Sequence, residues 1–178
     1  MQNKKLIISL FSLCLVAIVG LLATVIVFAA TTQNITSQIT ISYTATEVAG
    51  TLKANYKIGS NEEVSMGQST FTADTAKAGT LTAKELSLTA ANPTVIFTYT
   101  FTNASDKTAK MTLTDALTTT DNVTIQYCDE LDGTYSAEIP SVTANKNDSA
   151  SIYVKMTITD KAKNVGLGGQ YTVVITQA

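Results

Sequence analysis

The sequence contains no histidine, no tryptophan and no arginine. Nucleophilic triads and zinc sites depend mostly on histidine, so Ser-His-Asp, Cys-His and HExxH chemistry is excluded. All 12 basic residues are lysines, and the bidentate recognition of phosphate relies on arginine. The formal net charge is −2, whereas nucleic-acid-binding domains carry a basic face. We therefore predict that the protein is not an enzyme, needs no cofactor and does not bind nucleic acid.

Cysteine is scarce as well, because the chain has only Cys14 and Cys128. Cys14 lies in an apolar N-terminal run, so the remainder of the chain can form no internal disulfide. An exported domain of this kind is held together by its hydrophobic core, which fits a bacterial cell surface better than a small eukaryotic secreted module. Cys128 is either a buried side chain or an intermolecular link, and burial is the commoner role of a free cysteine.

One long hydrophobic run is present, Leu6–Ala30, and it follows Lys4 and Lys5 directly. Two lysines before an uncharged apolar run are typical of an export signal, with the following residues outside the membrane. Val27 and Ala29 are suitable for the −3 and −1 positions of a cleavage site after Ala29. The run is also long enough to span a bilayer as a helix. Residues 1–30 are therefore either a cleaved signal peptide or an N-terminal membrane anchor.

After this leader, β-branched and aromatic residues alternate with polar ones in short runs. Such residues favour strands, and a period of two indicates a strand with one buried face. The run Val95–Phe101 is the most apolar, and we predict it to be a central strand. The other runs are Ile39–Tyr43, Leu52–Ile58, Met111–Asp115, Val123–Tyr127, Ile152–Ile158 and Tyr171–Ile175.

No helical periodicity separates these runs, which excludes parallel strand–helix–strand units. We predict that residues 31–178 form one all-β domain, an antiparallel Ig-like or jelly-roll-type β-sandwich of about eight or nine strands. The hydrophobic signal or anchor helix precedes it. The interval Val64–Ala90 is ambiguous: Phe71 and Leu81–Leu88 suit short strands, whereas Ala73–Gly79 suits a loop or one helical turn.

The densest acidic cluster is Asp129, Glu130 and Asp132, directly before Gly133. Hard oxygen ligands followed by glycine make these three residues a candidate calcium site, although the spacing is not that of an EF-hand. The solvated tip of a β-hairpin is the interpretation that we favour.

Two further patterns are too common in such a chain to be specific. Four positions, Asn34, Asn103, Asn122 and Asn147, match the N-glycan acceptor pattern. Seven tyrosines lie in or near the runs, and two interpretations are open for them. They form a sugar-binding platform, or their rings pack on the sheet while their hydroxyl groups remain in contact with water.

Two segments carry a resemblance to a known family. They are FTYTFTNASDKTAKMTLTD (97–115) and SIYVKMTITDKAKNVGLGGQYTVVITQA (151–178). They resemble secreted Gram-positive surface proteins of the TasA/camelysin type. The resemblance implies a β-sandwich with an N-terminal export signal and, for some members, assembly into biofilm fibres.

These observations lead to two functional hypotheses for a protein at the cell surface or in the extracellular matrix. The first is a structural subunit in which strand 35–48, with Ile39, Ile41 and Tyr43, pairs with a neighbouring subunit. The alternative is a surface adhesin that binds a ligand through a β-sandwich module. The partners are then further copies of the chain or other surface proteins, and the membrane itself if residues 6–30 are retained.

N-terminal sequencing of the exported protein separates the two fates of the leader. A first residue at Ala30 is expected if the bond after Ala29 is cut. An exported chain that still carries Leu6–Ala30 establishes the anchor instead.

Overall fold

The computed structural model describes residues 32–35, 40–45, 47–73, 77–82, 86–89, 91–115, 118–119, 122–159, 167–168 and 171–178. The chain divides into two units, Met1–Thr32 and Gln33–Ala178, and the second unit contains the folded body. The predicted export helix, its cleavage site at Ala29 and the strand residue Ile39 lie outside the described residues. Within the described ranges all regular structure is β, and there is no helix. Those ranges accordingly hold no helix with the length and apolarity that crossing a bilayer requires.

Fourteen strands are present in the described part of the chain. They are β1 (Thr32–Ile35), β2 (Thr40–Ala45), β3 (Gly50–Ile58), β4 (Val64–Phe71), β5 (Lys77–Thr82), β6 (Leu86–Thr89), β7 (Thr94–Asn103), β8 (Ala109–Asp115), β9 (Thr118–Thr119), β10 (Val123–Cys128), β11 (Ser141–Ala144), β12 (Ser149–Ile158), β13 (Leu167–Gly168) and β14 (Tyr171–Gln177). Five of them have four residues or fewer, which leaves nine longer strands, as the alternation predicted.

Two five-stranded sheets contain most of these strands. The first sheet has the order β10-β12-β7-β3-β4 and the second has the order β11-β8-β14-β2-β5. Pairs β1–β6 and β13–β9 form separate two-stranded sheets. Neighbours within the two larger sheets are antiparallel, except that β2 and β14 are parallel. The antiparallel character is therefore confirmed, with one parallel pair that the sequence did not reveal.

Strand β7 is the middle strand of the first sheet, which confirms the predicted central strand. Its inward side chains, Val95, Phe97, Tyr99 and Phe101, are each at most 1% exposed. Full burial of four such side chains contributes about 6–10 kcal/mol before the entropy cost of folding is subtracted. β7 pairs over nine of its ten residues with β3 on one side and with β12 on the other.

The hydrophobic core takes side chains from both sheets. Phe97 of the first sheet and Met111, Val173 and Ile175 of the second belong to one buried cluster. Tyr127 of β10 meets Tyr171 of β14 edge to face, with ring centroids 6.3 Å apart and an interplanar angle of 89°. This is a favourable geometry for two aromatic rings.

The ambiguous interval Val64–Ala90 contains three strands, β4, β5 and β6. In β4 the buried residues are Met66, Ser69 and Phe71, so the spacing is three and then two. The register with β3 shifts at this point, and Gly67 has φ = 124°. Such a bulge adds one residue to a strand, which is why β4 shows no clean alternation in the sequence. For Ala73–Gly79 the sequence allows a loop or one helical turn. Both alternatives are wrong for residues 77–79, because β5 begins at Lys77.

Asn103 joins two loops beside the core, and its side chain is 0% exposed. Its Nδ2 donates to the carbonyl oxygens of Lys107, at 2.8 Å, and of Ala144, at 2.9 Å. Its Oδ1 accepts from the backbone N–H of Ser105 at 2.9 Å and from the Ser105 hydroxyl at 2.6 Å. The amide thus uses both its donors and both its acceptor sites, and its burial removes Asn103 as a glycan acceptor in the folded protein.

We predict that Asn103→Ala lowers the free energy of unfolding by about 2–4 kcal/mol, because it removes a buried side chain with four hydrogen bonds and takes the Asn103 donor from the buried Ala144 carbonyl oxygen. Urea titration followed by circular dichroism measures the loss. The control is Asn145→Ala, which removes a single exposed bond to the Thr108 hydroxyl and is expected to change stability by less than about 1 kcal/mol. Equal effects for the two variants would contradict the structural role of Asn103.

Candidate functional site

The predicted assembly strand corresponds to β2, which contains Ile41 and Tyr43. β2 is not at an edge: Ile41 pairs in register with Tyr171 of β14 on one side and with Leu81 of β5 on the other. Both hydrogen-bonding edges of the strand are therefore used within the chain. A contact of this strand with a second copy requires that one of these pairings be replaced.

The outer strands of the two sheets are β4, β5, β10 and β11, and each has a feature that hinders further pairing. β4 is bulged at Gly67, and Lys77 of β5 donates to the Thr70 carbonyl oxygen of β4 at 2.6 Å. β10 is bridged by the mutual hydrogen bonds of Tyr127 and Ser136. β11 has four residues and directly follows Pro140. Bulges, lysine, proline and short length are the usual protections of sheet edges.

The acidic residues Asp129, Glu130 and Asp132 lie in the loop that follows β10, and all three are exposed. After this loop the chain returns to β10, because Ser136 forms an antiparallel bridge with Tyr127. The three residues therefore lie at the tip of a hairpin-like turn, as predicted. Among the described residues, no three acidic or cysteine side chains converge to hold a metal ion. The three carboxylates share a solvated loop, and the calcium site stays a prediction.

Cys128 is a free, buried thiol at the base of the same loop. Its Sγ lies 4.0 Å from Oδ1 of Asp129, and a Cβ atom added at Gly133 would come within 2.6 Å of that sulfur. The loop thus covers the thiol, which confirms the interpretation of Cys128 as a packed side chain.

Four of the seven tyrosines are excluded from a surface platform because they are buried. Tyr56, Tyr99, Tyr127 and Tyr171 are between 0% and 6% exposed, and their rings belong to the core. Tyr135 and Tyr153 remain half-buried at the surface. Desolvation raises the pKa of Tyr135, in agreement with a ring that is partly covered.

The outward residues of the first sheet form a grid whose rows follow the strand register. One row contains Lys57, Ile96, Lys155 and Gln126, and the next contains Asn55, Thr98, Tyr153 and Cys128. A third contains Lys53, Thr100 and Ser151. We call this surface the lysine face, because Lys53, Lys57 and Lys155 are its charged residues.

Hydroxyl groups link neighbouring strands across the lysine face. The Thr100 and Ser151 hydroxyls are 2.9 Å apart, and those of Thr102 and Ser149 are 2.7 Å apart. At one corner, Nζ of Lys155 lies 4.2 Å from the ring centroid of Tyr135, a cation–π contact. Gln126 Nε2 donates to the Tyr135 carbonyl oxygen at 3.4 Å and helps to hold this residue beside the sheet.

An open groove of about 560 Å³ lies beside the Asn103 loop, lined by Glu47, Ala104, Asp106 and Lys107 among others. A glycosidase-type acid needs a raised pKa. The Asp106 carboxyl has the opposite property, since the hydrogen bond and charge of Lys146 lower its pKa. Its ion pair with Lys146 is exposed, so the Asp106 carboxyl lacks the buried environment that raises the pKa of a general acid.

The chain matches no protein-family model, and no curated protein aligns with it significantly.

The Tyr99 hydroxyl is buried without a hydrogen-bond partner among the described residues, and burial raises its pKa far above the usual range. We predict that Tyr99→Phe leaves the free energy of unfolding unchanged or raises it by about 1 kcal/mol at pH 7. A tyrosine whose pKa is higher in the folded state than in the unfolded state favours the folded state. This contribution to stability is fully present below the unfolded-state pKa of about 10, and it is lost as the pH rises above that value. The variant should therefore also lose less stability in alkali than the natural protein.

Denaturant titrations at pH 7 and above pH 10 measure both effects. Tyr171→Phe is the control, because the Tyr171 hydroxyl lies 3.4 Å from that of Tyr127, and we expect this variant to be destabilised by about 1 kcal/mol. A loss of more than about 2 kcal/mol in Tyr99→Phe at pH 7 would show that its hydroxyl is satisfied after all.

Proposed function

We propose that the protein is an exported structural subunit of a bacterial cell surface or extracellular matrix. In this proposal the two five-stranded sheets pack face to face as a β-sandwich. The shared core supports the arrangement, because alternate residues of β7 and β12 in one sheet and of β8 and β14 in the other belong to a single buried cluster. A sandwich stabilised by its core needs no disulfide, in keeping with the lone Cys128 of the body.

The export step rests on the sequence of the N-terminal segment. Lys4 and Lys5 precede the uncharged run Leu6–Ala30, which suits either a cleaved signal or a retained anchor. The resemblance of residues 97–115 and 151–178 to TasA/camelysin-type surface proteins supports the same location and a role in biofilm fibres.

The position of β2 carries the assembly part of the proposal. β2 lies near the start of the body, yet its two partners, β5 and β14, come later in the chain. If β2 leaves its place, the backbone groups of β5 and β14 lose their partners, and β2 of another copy can restore the same hydrogen bonds. Strand exchange between copies therefore retains the pairing energy while it links subunits. We propose that segment 35–48 joins subunits in this way.

A disulfide between β2 and β5 tests strand exchange. Ser42 and Thr80 are register partners in this antiparallel pair, and opposed residues in such a pair have Cα atoms about 4.5–5.5 Å apart, within reach of a disulfide. We predict that Ser42→Cys/Thr80→Cys remains monomeric when oxidised before assembly and forms fibres or oligomers when reduced. Negative-stain microscopy and size-exclusion chromatography measure the outcome.

Each single cysteine variant, treated with the same oxidant, controls for damage by the oxidant and should assemble normally. The exported domain that lacks residues 30–48 should not assemble with itself. Assembly of the oxidised double variant would refute exchange of β2, and monomers under every condition at high concentration would refute the structural role.

A further inference from the structure

The charge distribution of the first sheet differs from that of the whole chain. The chain has 14 acidic residues against 12 basic ones. The five strands of the first sheet nevertheless contain no aspartate or glutamate, and their charged residues are Lys53, Lys57 and Lys155. An acidic protein thus has one sheet whose strands carry positive charge alone.

The three lysines are on the same side of the sheet. Lys53 and Lys57 alternate with the buried residues of β3, and Lys155 alternates with those of β12. Lys57 and Lys155 are both in register with Ile96 of the intervening β7. Two strand spacings separate Lys57 from Lys155 by about 10 Å, and four residues along β3 separate Lys53 from Lys57 by about 13 Å. The charges thus form a triangle on an extended surface.

Neutral polar groups occupy the space between the lysines. Thr98 lies in the middle row, and the hydroxyl pair of Thr100 and Ser151 lies in the row of Lys53. Asn55 is between Lys53 and Lys57 and is 8% exposed, and its Oδ1 is buried without a hydrogen-bond partner among the described residues. The rings of Tyr135 and Tyr153 border the lysines on the β12 side.

We propose that the lysine face binds a linear acidic polysaccharide, with lysines on the sugar carboxylates and with Thr98 and Thr100 on the sugar hydroxyls. Lysine suits isolated carboxylates as a compact point charge, whereas the phosphates of nucleic acids are typically bound with the help of arginine. An extended acidic peptide would pair with a sheet edge by its backbone and not with a sheet face. This binding role goes beyond the structural role and does not depend on strand exchange.

Binding of the exported protein to polygalacturonate tests the proposal, with fully methyl-esterified polygalacturonate as the uncharged form of the same polymer. Isothermal titration calorimetry at low salt should detect binding to the charged polymer alone. The affinity should fall as salt is raised from about 0.05 M to about 0.3 M, because exposed charges are screened. The variant Lys53→Gln/Lys57→Gln/Lys155→Gln should bind at least about tenfold more weakly.

The matched control is Lys77→Gln/Lys107→Gln/Lys110→Gln, which lowers the net charge by the same amount through exposed lysines outside the first sheet. It should retain binding within about twofold. Circular dichroism melts of both triple variants verify that they are folded, and sizing verifies that assembly is unchanged by the lysine-face variant.

Three outcomes would overturn the proposal. Equal weakening by the two triple variants would reveal a general effect of net charge. Equal binding of the methyl-esterified polymer would show that the lysines are not the determinant. Tighter binding of duplex DNA or poly-glutamate than of polygalacturonate, lost in the lysine-face variant, would assign the face to a different polyanion.

Discussion

The fold depends on the pairing of β7 with β3 and β12 at the centre of the first sheet. A central strand can bury one whole face only if its neighbours supply hydrogen bonds along its full length, because an unpaired buried backbone group is costly. β7 comes close to this condition, because nine of its ten residues pair with each neighbour. Its inward aromatic side chains belong to the same buried cluster as Met111 and Val173 of the second sheet. The outward side chains of the same strand are partly buried or exposed.

The sequence was informative wherever this alternation was regular. The strands around Phe97, Leu52, Val154 and Val173 could be predicted because each second residue is apolar. β4 could not be predicted well, because its bulge changes the spacing of Met66, Ser69 and Phe71. The shortest strands escaped notice for a simpler reason, since two to four residues are too few to display a period.

The candidate sites were harder to predict than the fold, because they depend on neighbours in space. Asp129, Glu130 and Asp132 are close together in sequence, yet they are not a metal-binding group among the described residues. Lys53, Lys57 and Lys155 are up to about a hundred residues apart in the sequence and become neighbours only through the register of β3, β7 and β12. The absence of acidic residues from all five strands was visible in the sequence, but it acquires meaning only when the strands are known to share a sheet. The interior position of β2 likewise follows from a parallel pairing that no local pattern signals.

That parallel pairing affects the order of events when the protein is made. Ile41 is the register partner of Tyr171, so the second sheet cannot be completed until nearly the last residue of the chain is present. Contacts between such distant residues are slow to form, since the loop that they close is long. In a chain made from its N-terminus, β2 therefore stays without its β14 partner until β14 itself has been synthesised. The second sheet is thus the part of the fold that closes last.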